Sequence, residues 1–155
     1  MVAEVDPRAP RFGQAITAVL AFVGIFFQEG IVIYLVGLLL AVPVVSRWRV
    51  DPYGVAWERG FARLFDPPAR RESAIPHRFA RLVDAVFATG ASALLLTAAV
   101  AGVGQFAVVG YGLALVVGLL ALLGATTACP GCRLYRHVGV FCGPRLLIPP
   151  KRQYR

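Results

Sequence analysis

The amino-acid sequence predicts an all-α integral membrane protein. The expected form is a compact four-helix transmembrane bundle of two hairpins, N-in/C-in, with a cytoplasmic interfacial amphipathic helix. Three observations predict it. The 155 residues are 58% hydrophobic and 15% charged, with mean hydropathy +0.70, whereas a soluble domain carries roughly 25% charge. The apolar excess is concentrated in two blocks, Phe12–Val45 and Ala85–Ala128, whose one charged residue is Glu29. All 16 basic residues, 15 Arg and Lys151, lie outside those blocks. A soluble enzyme, a disordered tail and a coiled coil are excluded. A net charge of +8 elsewhere points to nucleic acid, but these Arg residues stand where membrane orientation requires them, so no nucleic-acid partner is expected.

The chain divides into an arm (1–11), a first hairpin (12–45), an interfacial segment (46–84), a second hairpin (85–128) and a tail (129–155). Each apolar block is too long for a single crossing of a hydrocarbon core about 30 Å thick. Turn chemistry breaks both, Gln28-Glu29-Gly30 in the first and Gly102-Val103-Gly104-Gln105 in the second, where glycine ends a helix and lets the chain reverse. The expected crossings are Phe12–Phe27, Ile31–Val45, Ala85–Val103 and Phe106–Ala128. The first two are shorter than the usual length of about 20 residues, and a re-entrant first hairpin is the alternative. Met1–Gln14 mixes acids with Arg and does not read as a signal peptide.

Four crossings put arm, interfacial segment and tail on one side, and basic segments stay cytoplasmic. In the interfacial segment Tyr53, Trp57, Phe61, Leu64 and Phe65 recur at one helical face. With Arg59 and Arg63 elsewhere on the helix, this suits a position among anionic lipid headgroups. Asp66-Pro67-Pro68 stops that helix, and the next begins near Pro76. Asp84 reads as a partner for Arg81 or Arg78. Pro43 interrupts the second crossing, and Gly24, Gly37, Gly90, Ala91, Ser92, Gly112, Gly118 and Gly124 are expected to let helices approach closely.

The residues with chemistry follow the fourth crossing. Cys129-Pro130-Gly131-Cys132 holds two thiols two residues apart, with Arg133 and Arg136 close behind. Nearby cations stabilise a thiolate, whereas a helix C-terminus opposes it. A pair facing the reducing cytoplasm suits transient thiol exchange, sulfur handling or metal ligation better than a permanent disulfide. Two inert interfacial thiols are the bland alternative. Cys129, Cys132, His137 and Cys142 form C-x2-C-x4-H-x4-C, a possible tetrahedral zinc set whose spacing resembles retroviral zinc knuckles over fourteen residues. The bulky Arg133–Arg136 stretch departs from that pattern, so no metal is favoured and no cofactor is expected.

The opening Val5-Asp6-Pro7-Arg8-Ala9-Pro10-Arg11-Phe12-Gly13-Gln14 and the Cys129-Pro130-Gly131-Cys132-Arg133-Leu134-Tyr135 ending carry a family resemblance. Over nearly its whole length the chain resembles small four-crossing bacterial membrane proteins classed as a domain of unknown function. The resemblance implies the bacterial cytoplasmic (inner) membrane and a signature of Cys129, Cys132 and Tyr135. His137 and Cys142 lie outside that motif. Arg8 and Arg11 of the arm could supply positive field to the thiols, or Asp6 could pin the arm by pairing with Arg133.

The leading expectation is a dithiol, Cys129 and Cys132, that exchanges electrons or sulfur with a cytoplasmic thioredoxin-like or sulfurtransferase protein. Two other expectations are an accessory subunit of a larger membrane complex and a zinc-binding adaptor. Transport, hydrolysis and phosphate binding have no supporting residues.

Overall fold

The computed structural model describes residues 4–61, 64 and 72–126. The described chain is helical apart from a two-residue antiparallel pairing. Strand β1 (Glu4–Val5) lies against β2 (Glu72–Ser73), with Glu4 opposite Ser73. The sequence gives no sign of this pairing, because neither pair of residues has a strand pattern.

Helix α1 spans Arg8–Phe26 and so absorbs part of the expected arm. Asp6 Oδ1 accepts the Arg8 backbone N–H at 2.9 Å, and Pro10 sits in the first turn, where its missing N–H costs nothing. The helix ends in a Schellman turn: Glu29 N–H donates to Gly24 O and Gln28 N–H to Ile25 O. Gln28 holds the left-handed position at φ 54°, so the expectation that Gly30 makes the reversal is corrected. Gly30 instead opens α2 (Gly30–Val45). The second hairpin turns as expected, with Gly102 at φ 69° between α4 (Ala74–Ala101) and α5 (Gly104–Thr126).

Helices α1, α4 and α5 are long and apolar enough to cross a membrane. Helix α2 has 16 residues and reaches only about 24 Å. Helix α1 packs against α2 and α5, and α4 likewise packs against α2 and α5. Small residues permit this. A Cβ on Gly37 would lie 2.7 Å from Ser92 Oγ, and one on Gly110 would lie 2.9 Å from Leu95. Gly112, expected at an interface, faces open space; Gly110 takes that role because it falls on the buried face of α5. The core consists of Val36, Leu40, Ala85, Ala88 and Val117 in one cluster and Ile33, Ala91, Leu95 and Ala114 in another. Large apolar side chains such as Val19, Phe26, Leu38 and Leu119 face outward. Large apolar side chains on the outer faces suit lipid contact, while Ala and Gly at the helix contacts let the backbones approach.

Between α2 and α4, helix α3 (Pro52–Ala56) runs into a π-helical turn at Trp57–Phe61. Tyr53 and Trp57 are buried, with Phe12 of α1 5.5 Å from the Trp57 ring and 4.8 Å from Phe61. The expected aromatic stripe is therefore split. Its first two members dock on the helices, while Phe61 and Leu64 remain exposed.

Candidate functional site

At the end of the helices where α1 and α4 begin and α5 ends, six polar side chains converge. Asp51 caps α3, its Oδ1 accepting the Tyr53 N–H at 3.1 Å. Its other oxygen holds Arg81 Nη1 of α4 at 2.6 Å. The Arg81 guanidinium also lies over the Tyr53 ring, 5.3 Å from its centre, and Gly13 leaves the room it occupies. The Tyr53 hydroxyl meets Thr17 Oγ1 at 2.9 Å, and Thr17 donates to Gly13 O. Burial pushes the Tyr53 hydroxyl above its ordinary value, only partly opposed by the Thr17 bond and by Arg81.

Deeper in, Gln14 Nε2 donates to Asp84 Oδ2 at 3.0 Å, both side chains being buried. Gln14 Oε1 has no partner among the described residues and lies against Gly124 of α5. The expected Asp84–Arg81 pairing is thus replaced. Arg81 reaches out to Asp51, and Asp84 turns to α1. Next to this network the Arg78 guanidinium lies 5.5 Å from the centre of the Trp48 ring. Together these contacts tie α1, α3 and α4 to one another. The side-chain pairs of the cluster join one element to another, and the Asp51 bond to the Tyr53 N–H caps a helix.

Of the residues expected to carry chemistry, Arg8 and Arg11 are exposed on the first turns of α1. Asp6, considered as a partner for Arg133, caps Arg8. Cys129, Cys132, Arg133, Tyr135, His137 and Cys142 lie outside the described residues. No group of three or more His, Cys, Asp or Glu among the described residues could hold a metal ion. Thr17 and Asp51 carry no motif. Their one signal is that Gln14 and Thr17, three residues apart, put two polar groups on one face of an apolar helix.

The sequence model of one protein family matches residues 5–139. The chain belongs to the family described as a domain of unknown function, DUF4395. The DUF4395 match takes in the arm from Val5, the whole polar cluster and Cys129 to His137, and stops before Cys142. No curated protein and no solved structure matches the chain.

Proposed function

We propose that this DUF4395 protein is a membrane-embedded dithiol protein. Cys129 and Cys132 exchange electrons or sulfur with a cytoplasmic thioredoxin- or sulfurtransferase-type partner. The observation that carries the reading is the spacing Cys129-Pro130-Gly131-Cys132 with Arg133 and Arg136 beside it. In the redox form, a Cys thiolate attacks the partner's disulfide and releases one partner thiolate. The second Cys then attacks the first Cys sulfur, which forms the Cys129–Cys132 disulfide and expels the partner's second thiolate. Two electrons pass to the partner, and the two thiol protons are released. In the sulfur form, the thiolate takes the outer sulfur of a partner persulfide and the partner leaves as a thiolate.

The membrane frame of this proposal is four crossings, α1, α2, α4 and α5, in a two-hairpin bundle in the bacterial inner membrane with both termini cytoplasmic. Helix α2 then crosses where residues such as Ser46 and Arg47 snorkel or the bilayer thins. The distribution of all 16 basic residues supports this orientation. So does the gathering of Arg8, Arg11, Arg47, Arg49, Arg78 and Arg81 at one end of the described helices.

Thiol trapping in intact cells and inverted vesicles tests the proposal. Cys129→Ser or Cys132→Ser should accumulate a mixed disulfide with a cytoplasmic protein, and impermeant alkylating reagents should label the wild-type pair only from the cytoplasmic face. Thiols inert from both faces would end it. The competing reading is an accessory subunit of a larger membrane complex. The hydrogen-bonded cluster of Gln14, Thr17, Asp51, Tyr53, Arg81 and Asp84 supports it, since its contacts join α1, α3 and α4. It predicts a fully functional double Cys→Ser variant that copurifies with another complex.

A further inference from the structure

Tyr53 and Trp57 are buried, but other side chains around them in the chain are exposed. Val50, Val55, Phe61 and Leu64 are 51%, 41%, 43% and 75% exposed. Arg47, Arg49 and Arg59 of the same segment are exposed, and Arg11 is exposed on α1 next in sequence to Phe12, whose ring touches Phe61. Of the two acids in 46–61, Asp51 holds Arg81. Glu58 is the one exposed acid in 46–61.

We propose that this surface is a binding site for anionic phospholipid. The headgroup phosphate is held by Arg11, Arg47, Arg49 and Arg59, and the acyl chains lie along the exposed apolar side chains. Guanidinium groups bind phosphate oxygens through paired N–H donors. Interleaved cations and apolar residues are the composition of a helix seated at the headgroup boundary. Val19 of α1 and Leu35 and Leu38 of α2 are also exposed, as suits helices bordered by acyl chains. A free phosphate or a nucleic acid would satisfy the Arg residues and leave Val50 and Leu64 in water. The site rests on the membrane placement above and is independent of the cysteines.

The test exposes delipidated full-length protein to detergent micelles containing phosphatidylcholine and phosphatidylglycerol in equal amounts. Retained lipid is quantified by mass spectrometry. Wild type should retain phosphatidylglycerol in excess, and the excess should fall as salt rises. Arg11→Gln/Arg47→Gln/Arg49→Gln/Arg59→Gln should lose it by about a hundredfold or more, on a scale of about fivefold per basic residue near an anionic surface. The corresponding four Arg→Lys substitutions should keep part of it, which separates charge from fold. Equal retention of the two lipids by wild type would overturn the site. So would undiminished excess in the Gln variant, or full displacement by inorganic phosphate at matched ionic strength, which marks a simple anion site. Self-association that covers the patch in pure phosphatidylcholine and is abolished by Val50→Ser/Leu64→Ser would overturn it in favour of a second copy of the chain. Because Cys129 and Cys132 play no part, failure here leaves the dithiol proposal standing.

Discussion

Gln14 and Asp84, 70 positions apart in sequence, meet through a 3.0 Å hydrogen bond that joins α1 to α4. The two helices run in the same direction and share α2 and α5 as neighbours, so this bond ties them directly across the assembly. A buried carboxylate without a donor is costly. Gln14→Leu should therefore destabilise the protein by about 2–3 kcal/mol, while Gln14→Leu/Asp84→Leu should recover most of the loss, because removing both partners leaves nothing unsatisfied. Denaturant unfolding in detergent, arranged as a double-mutant cycle, measures the coupling. Additive single effects would show that the bond contributes nothing.

Asp51 has two tasks, capping α3 and holding Arg81. Asp51→Ala removes both, and Asp51→Asn keeps an oxygen for the cap while losing the charge. Losing the cap alone is worth about 1 kcal/mol, so the Ala variant should be the less stable. Hydrogen exchange should accelerate across residues 52–61 in both variants, more in Ala than in Asn, with α5 unchanged. Uniform acceleration along the chain would show that α3 is not a separate latch.

These two contacts also mark how far the sequence can be read. Apolar length and the Gly102 turn place the second hairpin to within a few residues, because backbone groups in lipid force helix and glycine tolerates positive φ. The first turn is harder, since Gln28 takes a conformation that sequence assigns more readily to Gly30. The aromatic stripe from Tyr53 to Phe65 assumes an ideal helical period, and the π-helical turn at Trp57–Phe61 breaks it. The polar cluster is legible only in fragments, in the Gln14–Thr17 spacing and in Asp84 beside Arg81. Gln14, Thr17, Asp51 and Arg81 come from three separate elements, and nothing local announces that they meet. The Cys129–Cys132 pair is legible as a motif, but its setting depends on residues beyond the described helices.

Tyr53 supplies a prediction in alkaline solution. Burial raises its hydroxyl above the ordinary value, so the folded protein holds the proton more tightly than the unfolded chain, which releases it near pH 10. Stability is then complete below about pH 10 and declines as pH rises beyond it, because only the unfolded chain gains by ionising. Tyr53→Phe should cost about 1 kcal/mol at neutral pH through the lost Thr17 bond, and it should decline less steeply above pH 10. Tyrosinate absorbance followed alongside unfolding checks both. A Tyr53 that ionises in the native protein at its unfolded value would contradict the prediction.

Two glycines test the packing directly. At Gly37 a Cβ would lie 2.7 Å from Ser92 Oγ and 3.3 Å from the Ala88 carbonyl. The hydroxyl can rotate away, at the expense of its bonds to Ala88 O and Ile33 O, but the carbonyl belongs to a helix and cannot. Gly37→Ala should therefore push α2 from α4 and destabilise by about 1–3 kcal/mol. At Gly112 nothing lies within 4 Å, and the position is mid-helix, so Gly112→Ala should stabilise by about 0.5–1 kcal/mol through helix propensity alone. Opposite signs in the same unfolding assay would place Gly37 at a true helix contact. Equal, small effects would mean that α2 and α4 are not packed as closely as the Gly37–Ser92 geometry requires.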